Sequence, residues 1–132
     1  MDLTTKIKEN EKNVLKLIPL YENYMQYMIE VIMKLPRTEK FSIGNEFKNV
    51  MYDTFRNIIY IEKVESKNRL YYLNKIDADL NVQRALLRIM KKNKWISEEK
   101  FKVILTTHML EMGKILGGLI KYYAKNNKKW VW

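Results

Sequence analysis

The chain has no cysteine, which excludes disulfides, thiolate metal sites and thiol chemistry together. Its single histidine, His108, stands three residues before Glu111, the reverse of the Glu-x-x-His order that di-iron bundles use twice. A metal centre is therefore not expected. Asp77 and Asp79 are two residues apart and point to different faces of a helix, so they cannot share acid and base work. No nucleophile–base pairing, phosphate-cradling glycine loop or dinucleotide motif is present. The sequence thus predicts a protein that is not an enzyme and carries no cofactor. Apolar runs fall short of the roughly 18 to 20 uncharged residues of a membrane span. Residues Met1 to Lys16 alternate Lys, Glu and Asn without the apolar core of a secretory signal. The expectation is an intracellular, cytoplasmic protein with no membrane partner.

Proline and glycine are also scarce, at two and four in 132 residues, and the apolar residues recur at spacings of three and four. That combination predicts an all-α chain. Residues 1–17 are polar and lysine-rich, an extension with no assigned fold role. Pro19 suits the first turn of a helix, and Leu20, Tyr24, Tyr27, Met28, Val31 and Leu35 carry its stripe as far as Pro36. Ser42 caps a second helix bearing Phe47, Val50, Met51, Thr54, Ile58 and Ile61. After a turn at Ser66 to Asn68, a third helix carries Leu70, Leu73, Ile76, Leu80, Leu87 and Met90, interrupted only by Gln83. Ser97, followed by Glu98 and Glu99, is a start signal for the fourth, whose stripe is Phe101, Ile104, Leu105, His108, Met112, Ile115, Leu116, Leu119 and Ile120. Four helices with short links over residues 18–126 predict an antiparallel up-down-up-down four-helix bundle. A basic aromatic tail, residues 127–132, follows.

The net charge is +10, and it is concentrated. Residues 84–102 hold Arg84, Arg88, Lys91, Lys92, Lys94, Lys100 and Lys102 against Glu98 and Glu99, a balance of +5. Residues 114–132 add Lys114, Lys121, Lys125, Lys128 and Lys129 with no acid, another +5. Charge so placed suits a polyanion, either nucleic acid or an anionic lipid surface, although lysines at a helix end are also favoured by its dipole. Arg84, Arg88 and Lys91 share one ridge of the third helix, and Arg37 is a weaker candidate contact. In an antiparallel bundle the two basic segments would mark opposite ends of the rod, unless lysines run along a face or several protomers assemble. The nine tyrosines read mainly as rings buried at helix margins with wet hydroxyls. Trp130 and Trp132, beside Lys128 and Lys129, could dock on a neighbour or on an anionic lipid surface.

Three of the four glycines fall in one helix, at Gly113, Gly117 and Gly118. Each costs roughly 0.8 to 1 kcal/mol relative to alanine in a helix interior, so close approach of another backbone is expected in return. Gly113 and Gly117 share a face and fit either a tight crossing inside the bundle or a contact between protomers. Gly118 lies on a different face and is open to an interface.

Several short motifs occur together: Leu35-Pro36-Arg37 with Phe41-Ser42-Ile43-Gly44, Leu86-Leu87-Arg88, Ile96-Ser97, and above all Glu111-Met112-Gly113-Lys114-Ile115-Leu116-Gly117-Gly118-Leu119-Ile120-Lys121. With them the chain resembles, over residues 18–125, the accessory proteins of diversity-generating retroelements, the Avd family. Leu119 departs from a tryptophan usual there. The resemblance implies a non-catalytic four-helix protomer that forms a homopentamer, binds RNA or DNA, and associates with a reverse transcriptase to support mutagenic cDNA synthesis. Related four-helix proteins are encoded in intervening sequences of ribosomal RNA, which leaves a structural or protein-interaction bundle without a reverse-transcriptase partner as the alternative.

Overall fold

A computed structural model describes residues 3–127, with side chains over 9–126. Lys128, Lys129, Trp130 and Trp132 lie outside the described residues. The chain folds as helices α1 (Leu3–Met33), α2 (Arg37–Lys40), α3 (Ile43–Lys63) and α4 (Arg69–Lys92), then a long α5 over residues 98–127. A single 3-10 turn, Ser66–Asn68, joins α3 to α4. Among the described residues there is no strand. The four long helices pack in chain order around a square, α1 on α3, α3 on α4, α4 on α5 and α5 on α1, as expected of an antiparallel bundle.

The polar start of the chain is part of the fold, contrary to its reading as an extension. Helix α1 runs straight through Pro19, and Val14 and Leu17 join Tyr21, Tyr24, Met28, Val31 and Leu35 in the core at unbroken three–four spacing. A proline inside a helix costs about 3 kcal/mol. Two fully buried aliphatic side chains contribute about 1.5 to 3 kcal/mol each, which is enough to carry the helix past it. Pro19 itself lies on the exposed side of the helix.

A buried polar network crosses the centre of the bundle. The Tyr24 hydroxyl donates to Gln83 Oε1 at 2.7 Å. The Gln83 amide donates to Tyr21 Oη at 3.1 Å and Thr54 Oγ1 at 3.0 Å. Tyr21 and Thr54 then donate to the carbonyls of Met51 and Val50. Gln83, which breaks the apolar stripe in sequence, is therefore the residue that joins α4 to α1 and α3. Burial pushes both tyrosine hydroxyls well above their ordinary pKa, so they stay protonated and act as donors.

Nearer one end, buried Arg69 of α4 ties all four long helices. It donates through Nε to the Ile61 carbonyl of α3 at 2.9 Å, through Nη1 to the Tyr123 hydroxyl of α5 at 2.7 Å, and pairs with Glu11 of α1. Burial alone would lower the pKa of Arg69, but its bonds to Glu11 and Tyr123 reverse the direction and raise it. No buried side-chain polar atom among the described residues lacks a partner, as a well-formed core requires.

Helix α5 has a local irregularity. It begins as expected, with Ser97 Oγ accepting from the Lys100 N–H at 3.0 Å, but Ile104–Met109 forms a π-helical turn before α-helix resumes over Leu110–Asn127. A π turn widens the helix by one residue. Here it moves the core contact from Ile104 to Met109, five positions on, where an α-helix would have buried His108. His108 instead lies half-buried against Tyr27, ring centroids 4.3 Å apart, and burial lowers its pKa. The stretch Glu98–Asn126 is by length and hydropathy apolar enough to cross a membrane, a property the sequence reading did not find. In this fold the inner side of that helix, Ile104, Met109, Met112, Leu116, Leu119 and Tyr123, completes the bundle core.

Candidate nucleic-acid interface

One cation from each basic segment reaches a shared cleft. Arg84 of α4 and Lys114 of α5 line one cleft of about 380 Å³ whose other walls are Leu105, Met109, Leu110 and Gly113. Antiparallel packing brings this about, because α4 descends past α5 and sets Arg84 opposite Gly113. The Arg84 guanidinium lies 3.5 Å from where a Cβ on Gly113 would sit and donates to Asn81 Oδ1 at 2.7 Å. Further along the same ridge, Lys91 lies over the Phe101 ring, its Nζ 4.6 Å from the centroid. Arg84 and Lys91 of that ridge thus face α5, so Arg84 and Lys114 meet between the ends of the rod, while Lys92 and Lys94 stay at the end of α4 and Lys125 near the end of α5.

On α5, Lys114 and Lys121 are two turns apart on one exposed side, with Lys125 one turn beyond. Lys92 and Lys94 are exposed at the end of α4. Lys94 adopts the left-handed conformation, φ 61°, and closes the helix: its N–H bonds to the Lys91 carbonyl and that of Trp95 to the Met90 carbonyl. This is the Schellman arrangement that glycine usually occupies. Arg37 is exposed in α2, at the link between α1 and α3, apart from this cleft. The ion pairs among the described residues are Arg56–Asp53, Lys67–Glu65 and Arg69–Glu11, so none of the described candidate contact cations is in one of them.

The glycines do not make the tight crossing expected within the bundle. A Cβ added to Gly117 or Gly118 would meet nothing within 4 Å, and one on Gly113 would meet only the Arg84 side chain. The physical reason is position: Met112, Leu116 and Leu119 take the inward face of α5, which turns Gly117 and Gly118 outward. The glycine that does sit in a close approach is Gly44, where a Cβ would lie 3.1 Å from Ile32 Cγ2 and 3.2 Å from the Glu39 carbonyl oxygen. Gly117→Ala is accordingly expected to raise the unfolding free energy by about 1 kcal/mol, the difference in helix propensity, as read from urea denaturation. A loss of stability would mean that the protomer needs the gap.

Six of the nine tyrosines fall into three groups. Tyr21 and Tyr24 are wholly buried with internally bonded hydroxyls, further inside than helix-margin rings. Tyr123 is buried and bonded to Arg69. Tyr60 and Tyr71 are exposed on α3 and α4, grouped with Tyr72. Arg69, Glu11 and Gln83 were not distinguishable in sequence as network residues, because nothing local separates a buried arginine from a solvated one. Among the described residues no group of three or more potential metal-binding His, Asp or Glu side chains occurs.

Comparison with known proteins places the chain in a defined context. The family model described as bAvd-like matches residues 13–123. No curated protein and no solved structure matches the chain.

Proposed function

The chain belongs to the bAvd-like family, accessory proteins of diversity-generating retroelements, and from that premise we propose that it binds RNA or DNA and associates with the element's reverse transcriptase to support mutagenic cDNA synthesis. The observation that carries nucleic-acid binding is the convergence of Arg84 and Lys114 on one cleft, flanked by further cations that are in none of the ion pairs among the described residues. Contacts of this kind are made to phosphates, so binding is independent of sequence and steeply dependent on salt. The protein contributes surface and position, while the polymerase supplies the chemistry. The working form is a homopentamer acting in the cytoplasm, in which the basic surfaces of several protomers form one extended surface.

A band-shift series with RNA and with DNA tests the binding step. Complexes are expected at low salt and should dissociate as salt rises. Absence of any shift at low salt with either polymer would overturn the proposal. Co-purification with the reverse transcriptase and a solution mass of five protomers test the assembly. A stable monomer that leaves the polymerase unbound would favour the purely structural bundle instead.

A further inference from the structure

The α4–α5 groove combines an apolar floor, a glycine and charge. Leu105, Met109 and Leu110 form part of its lining, and Leu110 is 52% exposed although it is a large apolar residue. Arg84 and Lys114 stand on its two sides, extended by Arg88 on α4 and Lys121 on α5. On α5, Gly113 lines the groove with no side chain to close it, Gly117 follows one turn on along the same face, and the π turn Ile104–Met109 brings Met109 inward while leaving Leu110 outside.

Resting on the nucleic-acid reading above, we infer that this groove is the track for a single strand. The phosphates lie against the two cationic walls, and a base rests on the Leu105–Met109–Leu110 floor beside Gly113. Charge decides the class of occupant. A second copy presenting the same face would bring like charges together, whereas a phosphodiester chain neutralises both walls and releases counterions. The floor decides the form. Its apolar lining can meet a base only where the base face is free, as in a single strand, whereas a duplex keeps its base faces stacked inside and could touch only the cations at the rim. An apolar floor suits a base face without reading its edges, which gives tolerance of sequence. The groove accounts for the glycines as well: side chains at 113 and 117 would stand where the strand runs.

Gly117→Leu provides the test, since it adds bulk one turn beyond Gly113 on the same face without changing charge, at a position where a Cβ meets nothing within 4 Å. Binding is measured by fluorescence anisotropy with a labelled oligouridine of about 20 nucleotides, longer than the ~4 to 16 that one single-strand fold covers, and with a duplex of equal length. Thermal unfolding and solution mass are recorded in parallel. The expected result is about a tenfold weaker hold on the single strand, in the range that loss of one base contact produces, with undiminished melting temperature, unchanged mass and little effect on the duplex. Wild-type affinity in Gly117→Leu, while Arg84→Ala with Lys114→Ala still weakens binding, would overturn the groove and leave the nucleic-acid function standing. Duplex bound as tightly as single strand by the wild type would overturn it also. Loss of affinity together with a fall in mass would assign the glycine face to a protomer contact instead. Failure of the wild type to bind either probe would remove the function itself.

Discussion

Gln83→Leu is expected to lower the unfolding free energy by about 2 to 3 kcal/mol, although it replaces a polar core residue by an apolar one of similar size. Gln83 accepts from Tyr24 and donates to Tyr21 and Thr54. With leucine in its place, Tyr21 keeps the Met51 carbonyl and Thr54 keeps the Val50 carbonyl. Tyr24 keeps nothing, and its hydroxyl lies in a site from which water is shut out. A buried donor left without a partner costs about 1 to 3 kcal/mol, to which the two lost amide bonds add. The same asymmetry supplies the control. Adding Tyr24→Phe to Gln83→Leu removes the orphan along with its partner, and most of the stability should return in urea denaturation. If the single variant were as stable as wild type, the network would be incidental to the fold.

That network also shows where sequence reading reached its limit. The number of long helices, the turn at Ser66–Asn68 and the cap at Ser97 were legible because each depends on local chemistry: periodicity, a turn, a hydroxyl facing an N–H. Gln83 was visible only as an interruption in a stripe, since its partners lie 29 to 62 residues away. Pro19 misled for the converse reason. It is a local start signal, overridden by Val14 and Leu17 once those side chains have a core to enter. The π turn had a faint signature in the five-residue step from Ile104 to Met109, masked because His108 occupies the position an α-helix would bury. The glycines were singled out for their cost in a helix, and a close approach was inferred from it, but Met112, Leu116 and Leu119 of the same α-helical stretch take its inward face and leave Gly117 and Gly118 outside.

The candidate site was legible as charge and not as shape. Arg84, Arg88, Lys114 and Lys121 could be named from the sequence, but the meeting of Arg84 and Lys114 in one cleft follows from the packing of α4 on α5. The combined variant Arg84→Ala, Arg88→Ala, Lys114→Ala and Lys121→Ala turns that shape into a number. If each cation meets one phosphate of a single strand, the slope of log affinity against log salt should become shallower by about 3, at roughly 0.7 per contact. Near 0.1 M salt that corresponds to a loss of about 10² to 10³ in affinity by the same relation. The four side chains are exposed or half-buried and make no ion pair, so the fold should survive their removal, as helical content by circular dichroism will check. The comparison that decides is Arg37→Ala with Lys92→Ala and Lys94→Ala, which removes three cations away from the groove. If binding follows total charge, the two variants will lose slope in proportion to the cations removed. If it follows the groove, the first will lose nearly all of its salt dependence and the second will retain most of it. Equal loss per cation would leave a protein that attracts nucleic acid over its whole surface and holds it nowhere in particular.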